Sequence, residues 1–180
     1  TLSSTGTLGF NDIDTNDVID VTSAVKTSPV WSGGAIDADL KTALESGMSI
    51  SGSDEEAPGS VAWTYTGSNV NLDFLKAGET ITLTYTVTVT DTAGATATDD
   101  VTITITGTND APTITAAIDD ISFTEASDAA AQTLSSTGTL GFNDIDTNDV
   151  IDVSSAVKTA AVWSGGAIDA DLKTALEAGL

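Results

Sequence analysis

Residues 80 to 106 read TITLTYTVTVTDTAGATATDDVTITIT, and the fold class follows from that run. Between Thr80 and Thr90, Ile81, Leu83, Tyr85, Val87 and Val89 alternate with threonine, the period of a strand with one buried face. Asp91 to Gly94 reads as a turn. Val101, Ile103 and Ile105 then alternate with Thr102, Thr104 and Thr106, which predicts a second strand and an antiparallel hairpin. Upstream, Val61, Trp63 and Tyr65 mark a shorter strand, and Leu8 and Phe10 another. Threonine and valine dominate throughout, as suits half-buried sheet. One segment breaks the β pattern. Asp37 is a helix cap, Leu40, Ala43 and Leu44 follow at helical spacing, and Gly47 is placed to end the helix. The polar stretch Ser51 to Ser60, with Pro58, reads as a surface connection.

The chain also repeats itself. Residues 133 to 180 restate residues 1 to 48 at an offset of 133 − 1 = 132, changed only at Thr22/Ser154, Ser28/Ala160, Pro29/Ala161, Ser46/Ala178 and Met48/Leu180. The helix is therefore expected again over Asp169 to Gly179. A unit this long is a domain in a tandem array, an arrangement that serves reach or multivalency. The alternating strand stops at Gly107-Thr-Asn-Asp-Ala-Pro112, where proline blocks its continuation, so the domain boundary falls there. Ile114 to Phe123 offers the first strands of the next domain. Residues 1–112 then form one β domain without the counterpart of 113–132. Residues 113–180 form the first part of the next one, without the counterpart of 49–112. The second is expected to fray or to be completed by strand exchange with another copy. The chain reads as an interior portion of a longer one.

The formal charge is −22, with 27 acidic residues against five lysines, no arginine and no histidine. Phosphate backbones and anionic membrane surfaces repel such a chain, so nucleic acid is excluded as a partner and cations are the natural counter-charge. Cysteine is absent, which removes disulfides and thiol chemistry. No stretch approaches the roughly 20 apolar residues of a membrane span.

Oxygen ligands concentrate on the loop Asn11 to Asp17 and its copy Asn143 to Asp149. Alternate carboxylates of an extended segment point the same way, so Asp12 and Asp14 are candidates to share a calcium ion, which accepts about 6 to 8 hard oxygens in irregular geometry. The alternative is a solvated acidic turn. The spacing is not that of an EF-hand: Asp17 stands where its glycine belongs and Ser23 where its bidentate glutamate belongs. Asp91, Asn109, Asp110 and Glu125 are further donors near expected domain ends, each with a bland reading as turn or cap. Asp99 and Asp100 interrupt the alternation before Val101, which predicts a bulge or a domain-end ligand. Trp31, Trp63 and Trp163 read as core anchors, with sugar stacking as the rival. The acids cluster in turns, with no apolar pocket to raise a carboxyl pKa, so catalysis is not expected.

The run from Gly78 to Asp91, then Val101-Thr-Ile-Thr-Ile-Thr-Gly-Thr-Asn-Asp-Ala-Pro112, together with Gly6 to Asp14, resembles the VCBS and cadherin-like repeats of large bacterial RTX-type surface adhesins. The resemblance covers nearly the whole chain, and ITGTNDAP is its most specific part. It implies an all-β, Ig-like Greek-key β-sandwich in tandem repeat, carrying here one inserted helix per repeat. It implies secretion by a type I system to the cell surface and calcium bound at domain junctions. Carried over by position, the junction ligands are Asn109, Asp110, Glu125, Asp144 and Asp146, with Asp12 and Asp14 at the preceding junction. The expected function is a non-catalytic, calcium-stabilised extender whose partners are its neighbouring repeats. The rivals are a carbohydrate- or protein-recognition module using Trp31 to Gly34, and an accessory domain of an extracellular hydrolase.

Overall fold

In a computed structural model of the chain, the structure describes residues 2–14, 16–52, 55–68, 70–127 and 132–179. These residues form an all-β arrangement with antiparallel pairing and two short helices. Two units are distinct, residues 1–149 and residues 150–180.

In the larger unit, β1 (Leu2–Phe10) is followed by β2 (Val18–Trp31), α1 (Ala38–Glu45), β3 (Met48–Ser51), β4 (Glu55–Glu56), β5 (Gly59–Gly67), β6 (Thr80–Thr90) and β7 (Thr96–Thr106). One sheet has the order β1-β5-β3 and the other β4-β2-β6-β7. The hairpin of β6 and β7 pairs without interruption from Thr80↔Thr106 to Thr90↔Thr96, so the alternation seen in sequence becomes one buried and one exposed face. The expected bulge at Asp99 and Asp100 is absent. Asp99 lies opposite Val87, while Asp100 bonds Lys26 and the Thr86 hydroxyl on the outer face. Inward side chains from both sheets meet in two clusters, one around Trp31, Tyr65, Leu75, Ile81, Leu83 and Tyr85, the other around Ile19, Val21, Val61 and Val87.

The inserted helix forms as its pattern predicts. The Asp37 carboxylate accepts from the Asp39 and Leu40 amides at 2.8 and 3.3 Å, and Leu44 is fully buried. The carbonyls left over at its end find buried phenols: Tyr85 Oη donates to Leu44 O and Glu45 O at 2.9 Å each, and Tyr65 Oη to Leu44 O at 3.2 Å. Ser46 caps the helix. Gly47 is required by packing, since a Cβ there would stand 2.7 Å from the Tyr65 ring and 2.9 Å from Thr66 O. The Ser51–Ser60 stretch is more than a surface connection. Its Glu55–Glu56 pairs with β2 and its Ala57 is buried in the second cluster; Ser53 and Asp54 lie outside the described residues.

Strand β2 is the element that period-two reading passes over. Its register against β6 shifts between Val25 and Thr27 and again between Thr27 and Val30, lifting Val25 and Thr27 off the buried face before Pro29 and Trp31 return to it. Pro29 falls where the ladder is already interrupted.

Beyond Pro112, β8 (Thr113–Ala116) pairs with β9 (Gly141–Asn143), and residues 117–126 have neither strand nor helix. In the smaller unit, α2 (Ala170–Glu177) reproduces α1 with Asp169 as its cap, and no residue of it is buried. Glu177 accepts from the Ala161 amide and from Lys173, which holds its carboxyl below the usual range.

Candidate functional site

Both copies of the acidic loop begin where a strand ends and fold on themselves in the same way. In the first, Asp12 Oδ1 accepts from the Asp14 amide at 2.9 Å and Asp14 O from the Asp17 amide at 3.3 Å. In the second, Asp144 Oδ1 accepts from the Asp146 amide at 3.0 Å and Asp146 O from the Asp149 amide at 3.2 Å. Such side-chain-to-backbone bonds are what Asp offers a turn. They curl the loop, so the two carboxylates that face one another are not the alternate pair of an extended chain.

Around the first loop, Asp12, Asp17 and Asp91 each present a carboxylate oxygen, all within 4.8 Å of one another. Asp91 arrives from the β6–β7 turn, where its Oδ1 accepts from the Ala95 amide at 2.7 Å and Gly94 takes a φ of +89°. Thr92 of the same turn donates its hydroxyl to Asp17. Asp14 is exposed and outside the group. Two like charges at about 4 Å repel by about 1 kcal/mol in water and about 4 kcal/mol near a protein surface. The lysine pairs among the described residues, Lys26–Asp100, Lys41–Glu45 and Lys173–Glu177, relieve none of this. Oxygens bound to one calcium ion lie at most about 5 Å apart, given bonds of about 2.3 to 2.6 Å. The three carboxylates fit that span.

The second loop has a different setting, because it docks on the base of the first repeat. Thr147 N donates to Phe74 O at 3.1 Å and Lys76 Nζ to Asn148 O at 2.9 Å. The Asn148 amide donates to Gly33 O at 3.2 Å and to Glu79 Oε1 at 2.8 Å. Glu79, itself buried, accepts at its other oxygen from the Trp31 indole N–H at 3.0 Å, and Trp31 packs edge-on against Phe74 at 4.8 Å. The linker closes the arrangement: Asp110 N donates to Asp146 Oδ2 at 2.9 Å. Asp146 is 3% exposed and its Oδ1 has no hydrogen-bond partner. A buried carboxylate oxygen without a partner costs free energy, which a bound cation removes. Among the described residues, the acids that bring carboxylate oxygens within 4.8 Å of one another are Asp12, Asp17 and Asp91, not those around Asp146.

Of the residues singled out by sequence, Asp12 and Asp91 come together, whereas Asp110 reaches Asp146 through its backbone N–H and Asp144 reaches it through the Asp146 amide, so these three are not gathered as carboxylates. The Asn109 side chain donates to Asp110 O, and Glu125 is exposed on the segment without regular structure. Asp17, Glu79 and Asn148 are additions. The signal for Asp17 lay in the turn-forming Asn-Asp-x-Asp sequence, which brings a later acid back toward the first. Glu79 and Asn148 are 69 residues apart, and nothing local announces their meeting. No known protein family, curated protein or solved structure matches this chain.

Proposed function

We propose that this chain is a calcium-stiffened extender from a secreted bacterial surface adhesin, without catalytic activity, built from Ig-like, cadherin-like Greek-key sandwiches in tandem. The two antiparallel sheets with a shared apolar interior support the sandwich reading. The observation that carries the functional reading is Asp146, a carboxylate of the second acidic loop that is buried against the linker with one oxygen unpartnered.

Asp12, Asp17 and Asp91 would hold an ion at the strand ends of the first repeat, and at the junction Asp146, with Asp144 and Asp110 beside it, would draw in a second on a rearrangement that turns their carboxylates together. By the 132-residue period, Asp144 and Asp149 correspond to Asp12 and Asp17. A junction in a continuous array therefore gathers both sets of acids. Bound there, calcium supplies positive charge that cancels their repulsion. The chain supplies the rest of the stiffness: Asn148, Thr147 and Lys76 seat the loop on Phe74, Gly33 and Glu79 through their own hydrogen bonds. Because the ion binds only the folded junction, it adds stability by mass action, about 2.7 kcal/mol at a hundred times its dissociation constant. Recognition through Trp31 to Gly34 finds no support in this geometry, since the Trp31 indole is buried and bonded to Glu79. No helix among the described residues is long and apolar enough to cross a membrane.

The test is a calcium titration of a chain with two full 132-residue repeats, following Tm and small-angle scattering, with magnesium as control. Extension of the particle and a Tm rise specific to calcium support the proposal. Unchanged values for both would reduce the acidic loops to solvated turns.

A further inference from the structure

Aspartate and asparagine build the same turns, so local structure alone does not distinguish them along an acidic loop. Both copies of this loop nevertheless carry asparagine before the last acid, as Thr15-Asn16-Asp17 and Thr147-Asn148-Asp149. A reason for the second lies across the junction. Asn148 Nδ2 donates to Gly33 O at 3.2 Å and to Glu79 Oε1 at 2.8 Å. Both partners are acceptors, a carbonyl and a carboxylate, so the place calls for a neutral donor, which an ionised aspartate is not.

The receiving side is built entirely by the first repeat. Ser32 N donates to Thr80 O and Thr80 N to Ser32 Oγ, each at 2.9 Å, which ties the Trp31–Gly34 segment to the start of β6, directly after Glu79. The Trp31 indole N–H holds Glu79 Oε2, which leaves Oε1 for the loop. Glu79 is buried, and a buried carboxylate oxygen needs a donor. Gly33 leaves the room for it. A Cβ there would stand 2.5 Å from both Asn148 Nδ2 and Glu79 Oε1, and Gly33 has no left-handed φ, so space and not backbone conformation calls for glycine. Phe74 O and Lys76 Nζ hold the loop backbone beside the carboxamide, through Thr147 N and Asn148 O.

We propose that Trp31, Gly33 and Glu79 form a socket that selects the following repeat by one carboxamide, accepting asparagine at position 148 and rejecting aspartate. A carboxylate there would face Glu79 at hydrogen-bond distance and leave Glu79 Oε1 and Gly33 O without their donor. None of the socket's bonds uses an acid of the loop, so the selection works with or without calcium. Trp-Ser-Gly-Gly and Thr-Asn-Asp both recur at the 132-residue period, so the glycine slot and the carboxamide travel together in each repeat. The Trp31–Gly34 segment is thus read by a neighbouring repeat and not by an outside ligand.

The Thr147 amide reports docking, because it bonds Phe74 O across the junction. In the 180-residue chain, Asn148→Asp is expected to lower the hydrogen-exchange protection of that amide about tenfold or more, the loss of one hydrogen bond to a charged group. The β6 amides should keep theirs. Adding Glu79→Gln to Asn148→Asp is expected to restore most of the Thr147 protection, in calcium and in EDTA alike. The introduced carboxamide keeps its oxygen for Trp31 and turns its N–H groups to the introduced carboxylate. Undiminished protection in Asn148→Asp, or a double variant no better than the single one, would overturn the proposal. Loss of β6 protection along with that of Thr147 would make Asn148 a general stabiliser and overturn it as well, and so would a rescue confined to calcium.

Discussion

The acidic loop and the helix that follows it occur twice in this molecule with nearly one sequence, and the two copies meet different fates. The first Asp12–Asp17 loop faces outward, with its carboxylates turned to Asp91. The second is pinned to the base of the preceding repeat by Asn148 and buries Asp146. Backbone conformation follows: Asn16 has φ 71°, in the left-handed region, and Asn148 does not. The helices diverge likewise. Leu44 is 0% exposed, while its counterpart Leu176 is 50% exposed. Local sequence sets the Asp-to-amide bonds and the helix N-cap, which recur in both copies; burial is set by what lies across the interface, which differs.

The largest difference should come from the helix. Leu44→Ala empties a packed site and should cost about 2 to 5 kcal/mol, whereas Leu176→Ala should stay within about 0.5 kcal/mol. Chemical denaturation of both variants checks this, and equal costs would mean that α2 is buried in solution. Next is the latch. Asn148→Gly removes the bonds to Gly33 and Glu79 and should cost about 1 to 3 kcal/mol. Asn16→Gly places glycine at a left-handed position and should be within about 0.5 kcal/mol of neutral. A latch variant as stable as the wild type would show that the docked loop contributes nothing.

The smallest effect is a pH dependence confined to the first copy, the one whose helix end meets tyrosines. Burial, with the neighbouring Tyr85 adding, pushes Tyr65 up to about 12. Burial also raises Tyr85, helped by the Glu45 charge against the lowering by the Met48 and Gly47 amides. A phenol of raised folded pKa favours the folded state fully below its unfolded value near 10, and that stability is lost as pH rises from about 10 to about 12. Tm should fall across that window in the wild type and less steeply in Tyr65→Phe with Tyr85→Phe. Parallel curves would detach the phenols from the effect.

Much of this was readable in the chain. Threonine alternation placed β6 to the residue, and Asp37 marked the helix start, because both signals are local. Strand β2 stayed hidden because two register shifts break its period, and Gly47 was read as a helix stop although a ring 18 residues away is what demands it. At the site, Asp12 and Asp91 could be named from their positions in turns. Asp17 needed the curl of the loop, and the Glu79–Asn148–Trp31 network needed the repeats to meet. An alternate-carboxylate argument holds for extended backbone; here an Asp side chain closes the turn and moves the partner from Asp14 to Asp17.

The most direct test of the junction account is calcium binding by the 180-residue chain carrying Asp146→Asn, set against the same substitution at its counterpart, Asp14→Asn. The account predicts that Asp146→Asn weakens calcium binding at least tenfold and abolishes most of the calcium-dependent rise in Tm, while Asp14→Asn changes neither. Equal behaviour of the two variants, or a wild-type chain that binds no calcium, would contradict it.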